Sequence, residues 1–598
     1  MKKYKGNIST IIMTVIVIFI AGCDDYLAEK EVPRLSVEYY GTPEGADAAA
    51  VAAYSYMRFG VGGENANVFN ELGNDLTTGA VGAVGYPTNI YDNALSPSTT
   101  TRLALYLFWQ NHYKAINTTN IVVGELPKNE KLTEAEKNAA LAEMYFLRAY
   151  FYFDLVQQFG KIPLVLEADY AVRTSFQRAP VADIYRAMIG DLRFAAEHLR
   201  EKTSASEKNI GKATRYAAAH LLSKVYLARC SAVTEQRGQQ PTDADSALYY
   251  ARMVIESPNY KLLDNFSSLW DPNNQGHSEV VFSVQFSTDP IYNATTGSSY
   301  TGLDDGNKLH LYWCAMYENL PGLVRDVENG RPYRFHRVTN RTMFDLYDRK
   351  NDSRFYKSFK WVWYCNRAVA PSRTNPFGLN VGDTALYHSL NPKPDDATYA
   401  YTYIQWNRDN ISAINDYYPQ LIKFIEPNRT TVNAQGGVRE WVRMRLGETY
   451  LLAAEAAGRT GNFTAAAEYF NVVRQRAAWH DGEAKMSQYW REEGGEYGNT
   501  SSTYNEIKVE ASYLSSLTAD QFVDFVLDER GRELLGECMR WEDLVRCEKL
   551  YEYVKTRGYN PEATYIQPYH KLRPIPQQHI DRLIPAGVVA EEQNEGYY

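Results

Sequence analysis

The chain lacks the residue spacings on which many reactions and metal sites depend. It holds no HExxH, no GxSxG and no GxxxxGK[ST], and no GxGxxG opens a helix after a strand, so motif gives no support for a zinc hydrolase, a nucleophile elbow, a P-loop or a dinucleotide fold. No CxxC spacing occurs. Beyond Cys23 the cysteines are Cys230, Cys314, Cys365, Cys538 and Cys547, an odd set that suits neither a disulfide scaffold nor a zinc site. Lys and Arg form no block and the net charge is -9, which argues against a nucleic-acid partner. After the N-terminus no apolar run approaches the roughly 20 residues needed to cross a bilayer core. Rings, in contrast, are plentiful: 47 Tyr, 23 Phe and 10 Trp. Tyr buries an apolar ring while keeping a polar handle, which suits packing and half-apolar ligands alike.

The first residues carry Lys2, Lys3 and Lys5, an apolar run from Ile8 to Ile20, and then Ala21-Gly22-Cys23. A basic region, a short apolar region and small residues at a cut site describe a secretory signal rather than a membrane span. Ile20-Ala21-Gly22-Cys23 resembles the lipobox of bacterial lipoproteins, in which the cysteine thiol is acylated. Each buried methylene contributes about 0.8 kcal/mol, so two or three acyl chains hold a protein firmly. The expectation is lipidation at Cys23, with the acidic Asp24-Asp25 pair opening a tether.

Helical periodicity dominates two blocks. In the first, the stretch from Leu141 to Phe159 is closed by Gly160, with Pro163 just beyond. Helices from Val181, Lys212 and Asp243 follow, the last ending before Pro258. In the second, Leu446-Gly447-Glu448-Thr449-Tyr450, then Gly461 with Ala466 and Phe470, match the two halves of a tetratricopeptide repeat. Leu222 to Tyr226, with Ala247 and Ala251, repeat the pattern. Between Pro258 and Val438 the texture changes to Gly, Pro, Asn and Tyr, with β-type runs such as EVVFSVQF from Glu279. Long irregular segments inside a compact protein are usually functional. The fold class expected is all-α: a tetratricopeptide-like helical-hairpin scaffold with large irregular loop insertions and a few short strands. The expected division is a signal over 1–22, a tether, helix and loop region over 23–100, and an N-terminal helical block over 101–258. An irregular ligand-binding insertion over 259–438, a C-terminal helical block over 439–550 and an extended tail over 551–598 complete it.

Histidines are scattered, and His198 and His220 fit helices as hydrogen-bonded structural residues. Carboxylate pairs such as Asp304-Asp305 and Glu492-Glu493 are expected by chance among 72 acidic residues. Charges at Glu529, Arg530, Arg532, Glu533, Glu537, Arg540 and Asp543 recur at helical spacings, as do Arg445 and Glu448 about one turn apart. They read as scaffold networks that fix helix register, with Trp541 as a packing anchor.

Five segments in order resemble the SusD/RagB family of outer-membrane lipoproteins. They are LRAYFYFDLVQQFGKIPL from Leu147, KATRYAAAHLLSKVYLA from Lys212, the block from Arg445 to Ala477, DERGRELLGECMRWEDLVR from Asp528, and the tail LRPIPQQHI from Leu572 with its closing QNEGYY. Gly447, Thr449 and Glu595 depart from the family's usual residues. Trp109 stands where the family usually carries a structural Trp.

The resemblance implies a non-catalytic protein of the outer membrane, lipid-anchored and exposed at the cell surface. It would bind glycans (oligo- or polysaccharides) and deliver them to a partner SusC-like TonB-dependent transporter, acting as a hinged lid. A pyranose has an apolar face that stacks on rings and hydroxyls that need Asn, Asp, Gln or Arg partners, so no cofactor is required; a turn such as Asp304-Asp305-Gly306 would permit a structural divalent cation. The ligand-binding candidates come from the irregular segments: Asn74, Asp75, Tyr86 and Tyr91, then Tyr312 and Trp313, then Trp361, Trp363 and Tyr364. If the last run is a strand, its two Trp side chains share one face. The alternatives are a peptide-binding lid of the same architecture, a surface glycan hydrolase, and a bare scaffold that binds proteins on its concave face.

Overall fold

The computed structural model describes residues 37–62, 68–80, 91, 104–170, 173–204, 206–208, 211–287, 306–373, 376–393, 400–409, 416–493, 500–557, 561–583 and 592–597. Helices form the frame: α1 (Pro43–Met57), α2 (Ala104–Glu125), α3 (Glu134–Phe159), α4 (Val181–His198), α5 (Arg215–Ser231) and α6 (Asp243–Ile255) in the N-terminal half, then α7 (Leu446–Arg459), α8 (Phe463–Ala477), α9 (Ala519–Leu534) and α10 (Arg540–Arg546). No described helix is long and apolar enough to cross a membrane.

Local sequence explains the boundaries. Thr133 and Glu136 close a capping box at the start of α3, satisfying backbone donors that the first turn leaves unpaired. Gly160 ends it at φ 66°, a left-handed conformation that favours glycine. From Leu141 onward α3 is buried on nearly every side, as expected of a helix packed between neighbours rather than along one stripe. It lies against α2 and α4, while α5 pairs with α6 and α7 with α8. Ala247 and Ala251 of α6 and Ala453, Ala456 and Ala457 of α7 are fully buried, and these small residues let α6 and α7 meet and join the two halves.

Strands are short and few. Val280–Val284 (β2) pairs antiparallel with Trp441–Arg445 (β7), so the chain enters and leaves the intervening insertion through one buried ladder. Thr77–Gly79 (β1) pairs with His336–Val338 (β3) and ties the N-terminal loop region to that insertion. Within it, Val362–Tyr364 (β4) pairs antiparallel with Thr384–Ser389 (β5), and Thr402–Gln405 (β6) lies parallel to β5. Arg445 is therefore the last residue of β7 and the extended N-cap of α7, not a residue one helical turn before Glu448. That position aims its guanidinium into the helical block.

There the charges recognised in the sequence are buried and paired. Arg445 reaches Glu533 at 2.6 Å, Glu537 at 2.8 Å and Glu279 at 3.1 Å. Arg354 holds Asp352, Glu529 and Glu533 within 3.0 Å. Glu448 takes His220, Arg530 and Lys224 at 3.0, 3.0 and 3.3 Å, and Arg546 bridges Glu455 and Asp543. Buried ions are tolerable only when partnered this completely. All five described cysteines are unpaired thiols.

Candidate functional site

Two regions of the surface combine rings with polar groups. The first is a lobe of the insertion. Its own small core gathers Trp363, Cys314, Tyr317, Leu323, Cys365, Leu379 and Leu386. Cross-strand register sets Trp363 opposite Leu386, and this buries the indole completely. Trp361 lies just outside β4 and packs on Phe355, Tyr356 and Phe359 in the main core, at ring separations of 5.4, 6.1 and 6.2 Å. The two indoles thus belong to separate cores and do not form a shared exposed face. Tyr364, one residue on, is 55% exposed, beside a segment that also exposes Phe377 and Val381.

The same lobe carries a set of interlinked polar groups. Asn366 donates to the Val324 carbonyl at 2.8 Å and to Asp326, and its side-chain oxygen accepts from the Val324 amide at 2.8 Å. Arg325 forms a two-pronged ion pair with Glu318 at 2.5 and 2.6 Å and donates to Asn433. Arg331 donates to the Asn433 carbonyl and lies 5.1 Å over the Tyr333 ring.

The remaining sequence candidates sit lower. Asn74 is buried and caps its own turn, accepting from the Leu76 and Thr77 amides at 2.8 and 2.9 Å. Asp75 is buried between Arg540 at 2.7 Å and Arg341 at 2.6 Å. Tyr91 donates to the Gly73 carbonyl and packs on His570. Tyr312 stacks on Phe335 with centroids 5.5 Å apart, and Trp313 leans on His336. Each of these side chains is buried, holds the loops together and presents no open face to a ligand. Tyr86, Asp304, Asp305 and Cys23 lie outside the described residues. Among the described residues no group of three His, Cys, Asp or Glu is placed to hold a metal.

The second region is a cleft of about 630 Å³ between α2, residues 163–170 and 173–176, and the tail around His579. Trp109, Tyr113 and His579 form its floor, with Trp109 centred 5.1 Å from Tyr113 and 4.9 Å from His579. Burial, reinforced by Arg178, lowers His579 to about 4, so the imidazole is neutral near pH 7. The wall is held rigidly: Tyr113 donates to the Pro163 carbonyl at 2.8 Å, Asn117 accepts from the Asp169 amide at 2.9 Å, and Asn120 donates to the Val165 carbonyl at 2.9 Å. Tyr106, Lys114, Arg173 and Arg582 stand at the rim. Among the described lining residues the carboxylate is Asp169, 3.7 Å from Arg173. Trp109, expected as a structural residue, is buried and packs on Tyr113, Phe159 and His579 at the back of the cleft. A signal for the cleft was present: Tyr106, Trp109, Gln110, Tyr113, Asn117 and Asn120 recur at helical spacing on one face.

A strand-anchored insertion on an all-α frame is the architecture of a known class, and the chain belongs to the SusD family. Residues 278–597 match the model of that family, and residues 57–227 match one described as starch-binding associating with outer membrane. A SusD-like protein of Formosa agariphila is 24% identical across 99% of this chain and 100% of its own length; one of Bacteroides ovatus is 29% identical across 30% of this chain and 32% of its own. Among solved structures, a laminarin-binding SusD-like protein superposes with a TM-score of 0.62 at 22% identity, covering 93% of this chain and 100% of that one. Surface glycan-binding protein A from Bacteroides thetaiotaomicron, solved with laminarihexaose, gives 0.61 at 18% identity, covering 92% and 99%. At these identities the superpositions establish the fold.

Proposed function

We propose that this chain is a non-catalytic glycan-binding lipoprotein, tethered at the cell surface through Cys23, that hands its cargo to a partner TonB-dependent transporter as a lid does. The observation that carries the reading is the lobe: around a Trp363-centred core, Tyr364 and Phe377 are exposed, and the same lobe carries guanidinium, carboxylate and carboxamide groups. That pairing of apolar and polar surface is what a pyranose requires. The names of solved relatives, one laminarin-binding and one holding laminarihexaose, support the same ligand class. Tyr364 is the sequence candidate that remains at the contact surface; Trp363 serves it from beneath. Single-site affinity in the millimolar range, about 4 kcal/mol, suffices for a lid held beside its transporter, because tethering raises effective concentration.

The test is a glycan array followed by calorimetry on Tyr364→Ala and Phe377→Ala. Loss of one stacking ring should weaken binding about tenfold, equivalent to roughly 1.4 kcal/mol. Unchanged affinity in both folded variants removes the lobe, and capture of peptides but no saccharide favours a peptide-binding lid. Protease accessibility on intact cells, compared with Cys23→Ala, tests the tether.

A further inference from the structure

We propose that the cleft between α2, residues 163–170 and 173–176, and the tail is a second ligand site, built for an anionic saccharide whose rings carry carboxylate or sulfate. Three features converge on it. The floor is aromatic, with the half-buried Tyr113 and the neutral His579 offering flat apolar surface and the buried Trp109 packed behind both. The rim is cationic, in a chain whose net charge is -9. The Lys114 ammonium donates to Gln110 at 3.3 Å, and Arg582 holds the Tyr106 oxygen and lies 5.3 Å over that ring. Among the described residues no ion pair to a carboxylate joins either Lys114 or Arg582 to the protein. Arg173 shares Asp169 and lies 5.5 Å over Phe176.

Placing cations together without partners costs energy through repulsion, so such a rim reads as a surface awaiting an anion. A guanidinium fixed against a ring keeps its planar fork, which fits carboxylate or sulfate oxygens in two-pronged fashion. The volume falls within the range of small-molecule sites, and the carbonyls of Pro163 and Val165 are already occupied by Tyr113 and Asn120. What remains open is the exposed part of the Tyr113 and His579 rings and the cationic edge, which selects for negative charge on a flat, apolar-faced body.

The inference rests on the glycan-binding reading, and the experiment separates the two. The full-length protein is titrated calorimetrically with a galacturonate oligomer, a sulfated galactan oligomer and neutral laminarihexaose. The set is repeated with the Lys114→Ala/Arg582→Ala double variant and with Arg582→Lys. Both positions are exposed, and thermal unfolding verifies that each variant is folded. At least one charged oligomer should bind tenfold or more tighter than it does to the double variant, with affinity falling as salt rises and with Arg582→Lys intermediate. Laminarihexaose should be indifferent to these changes. The proposal is overturned if neither charged oligomer binds, if the folded double variant keeps full affinity, or if inorganic sulfate alone binds as well as the oligomers. Binding of laminarihexaose alone would sink this site and leave the glycan reading standing; binding of no saccharide at all would sink both.

Discussion

The C-terminal helical block and the insertion keep polar groups dry by opposite means. In the block, charge goes inward and is met by charge. Burial by itself would raise Glu533, yet Arg476, Arg445 and Arg354 outweigh it and hold the carboxyl at about 2; Glu455 is held at about 2 by Arg546 and Arg459 in the same way. The insertion lends some cations to that lattice, Arg354 and Lys423 among them, but three of its histidines go inward neutral. Burial lowers His310, His336 and His388 to about 3, with Arg429 adding to the effect at His310. An ionic lattice depends on every member, whereas a neutral core depends on volume and on pH. The frame is thereby made rigid and the insertion dependent on pH.

The largest effect should follow from breaking the lattice at its hub. Arg445→Met leaves Glu279, Glu533 and Glu537 buried without their shared cation, a loss of about 3–5 kcal/mol when one partner of a buried pair is removed. Urea unfolding of the whole chain should report it. A midpoint within error of wild type would show that the lattice is not what holds α7 against α9.

Trp363→Ala attacks the other side of the comparison. Removing a buried indole costs about 3–5 kcal/mol, but the void opens in the separate lobe core. Hydrogen exchange should therefore lose protection in β4, β5 and β6 while α3 and α7 to α9 keep theirs. Equal loss in both regions would mean that lobe and frame unfold as one unit.

Acid should separate the regions without any mutation. A histidine whose folded pKa lies near 3, against about 6.5 unfolded, contributes stability that is complete above pH 6.5 and declines as pH falls. The decline is at most about 1.4 kcal/mol per pH unit for each histidine. A glutamate held near 2, against about 4.3 unfolded, loses its contribution only below pH 4.3. Between pH 6.5 and 4.5 exchange protection in the insertion should fall first, around His336 and His388. In the helical block the loss should be confined to the surroundings of His220, which burial also lowers, an effect that Glu448 partly offsets. Simultaneous loss would remove the distinction.

Much of the frame was legible because its signals are local. Gly160 after an apolar-periodic run and Pro163 beyond it fix the end of α3 from sequence alone, whereas its first turn, from Glu134, precedes the Leu141 start that the periodicity suggests. The EVVFSVQF run gave β2, and five ordered blocks gave the family. The lobe was not legible in the same way. A Trp in a polar, glycine-rich stretch looks the same whether its ring meets a sugar or fills a local core, and only the pairing of Trp363 with Leu386 decides it. Asn74 and Asp75 misled for a related reason: a loop that approaches a buried helix end needs polar side chains to satisfy backbone and guanidinium groups. Arg445 shows the limit of periodic reading, since a strand that runs directly into a helix mimics helical spacing across the junction. The cleft escaped because its floor is shared by segments that are over 400 residues apart in sequence, Trp109 and His579.

The smallest effect tests an exception inside the frame. Glu71 is buried where the N-terminal segment meets α10. Its Oε2 accepts from the Cys538 amide at 2.9 Å, and burial, partly offset by that bond, raises its carboxyl to about 8. It is thus a neutral group in a region of paired ions. A raised carboxyl binds its proton more tightly folded than unfolded, so its contribution is complete below about pH 4.3 and is lost as pH rises through 8. Glu71→Gln copies the shape and neutrality of the protonated acid and removes that dependence. At pH 5 the variant should lie within about 1 kcal/mol of wild type, the scale of one hydrogen bond. From pH 5 to 8 it should gain steadily relative to wild type, and beyond that the difference should level off. A difference that stays flat across this range would place the Glu71 carboxylate among the ionised, partnered groups and extend the ionic lattice to the junction.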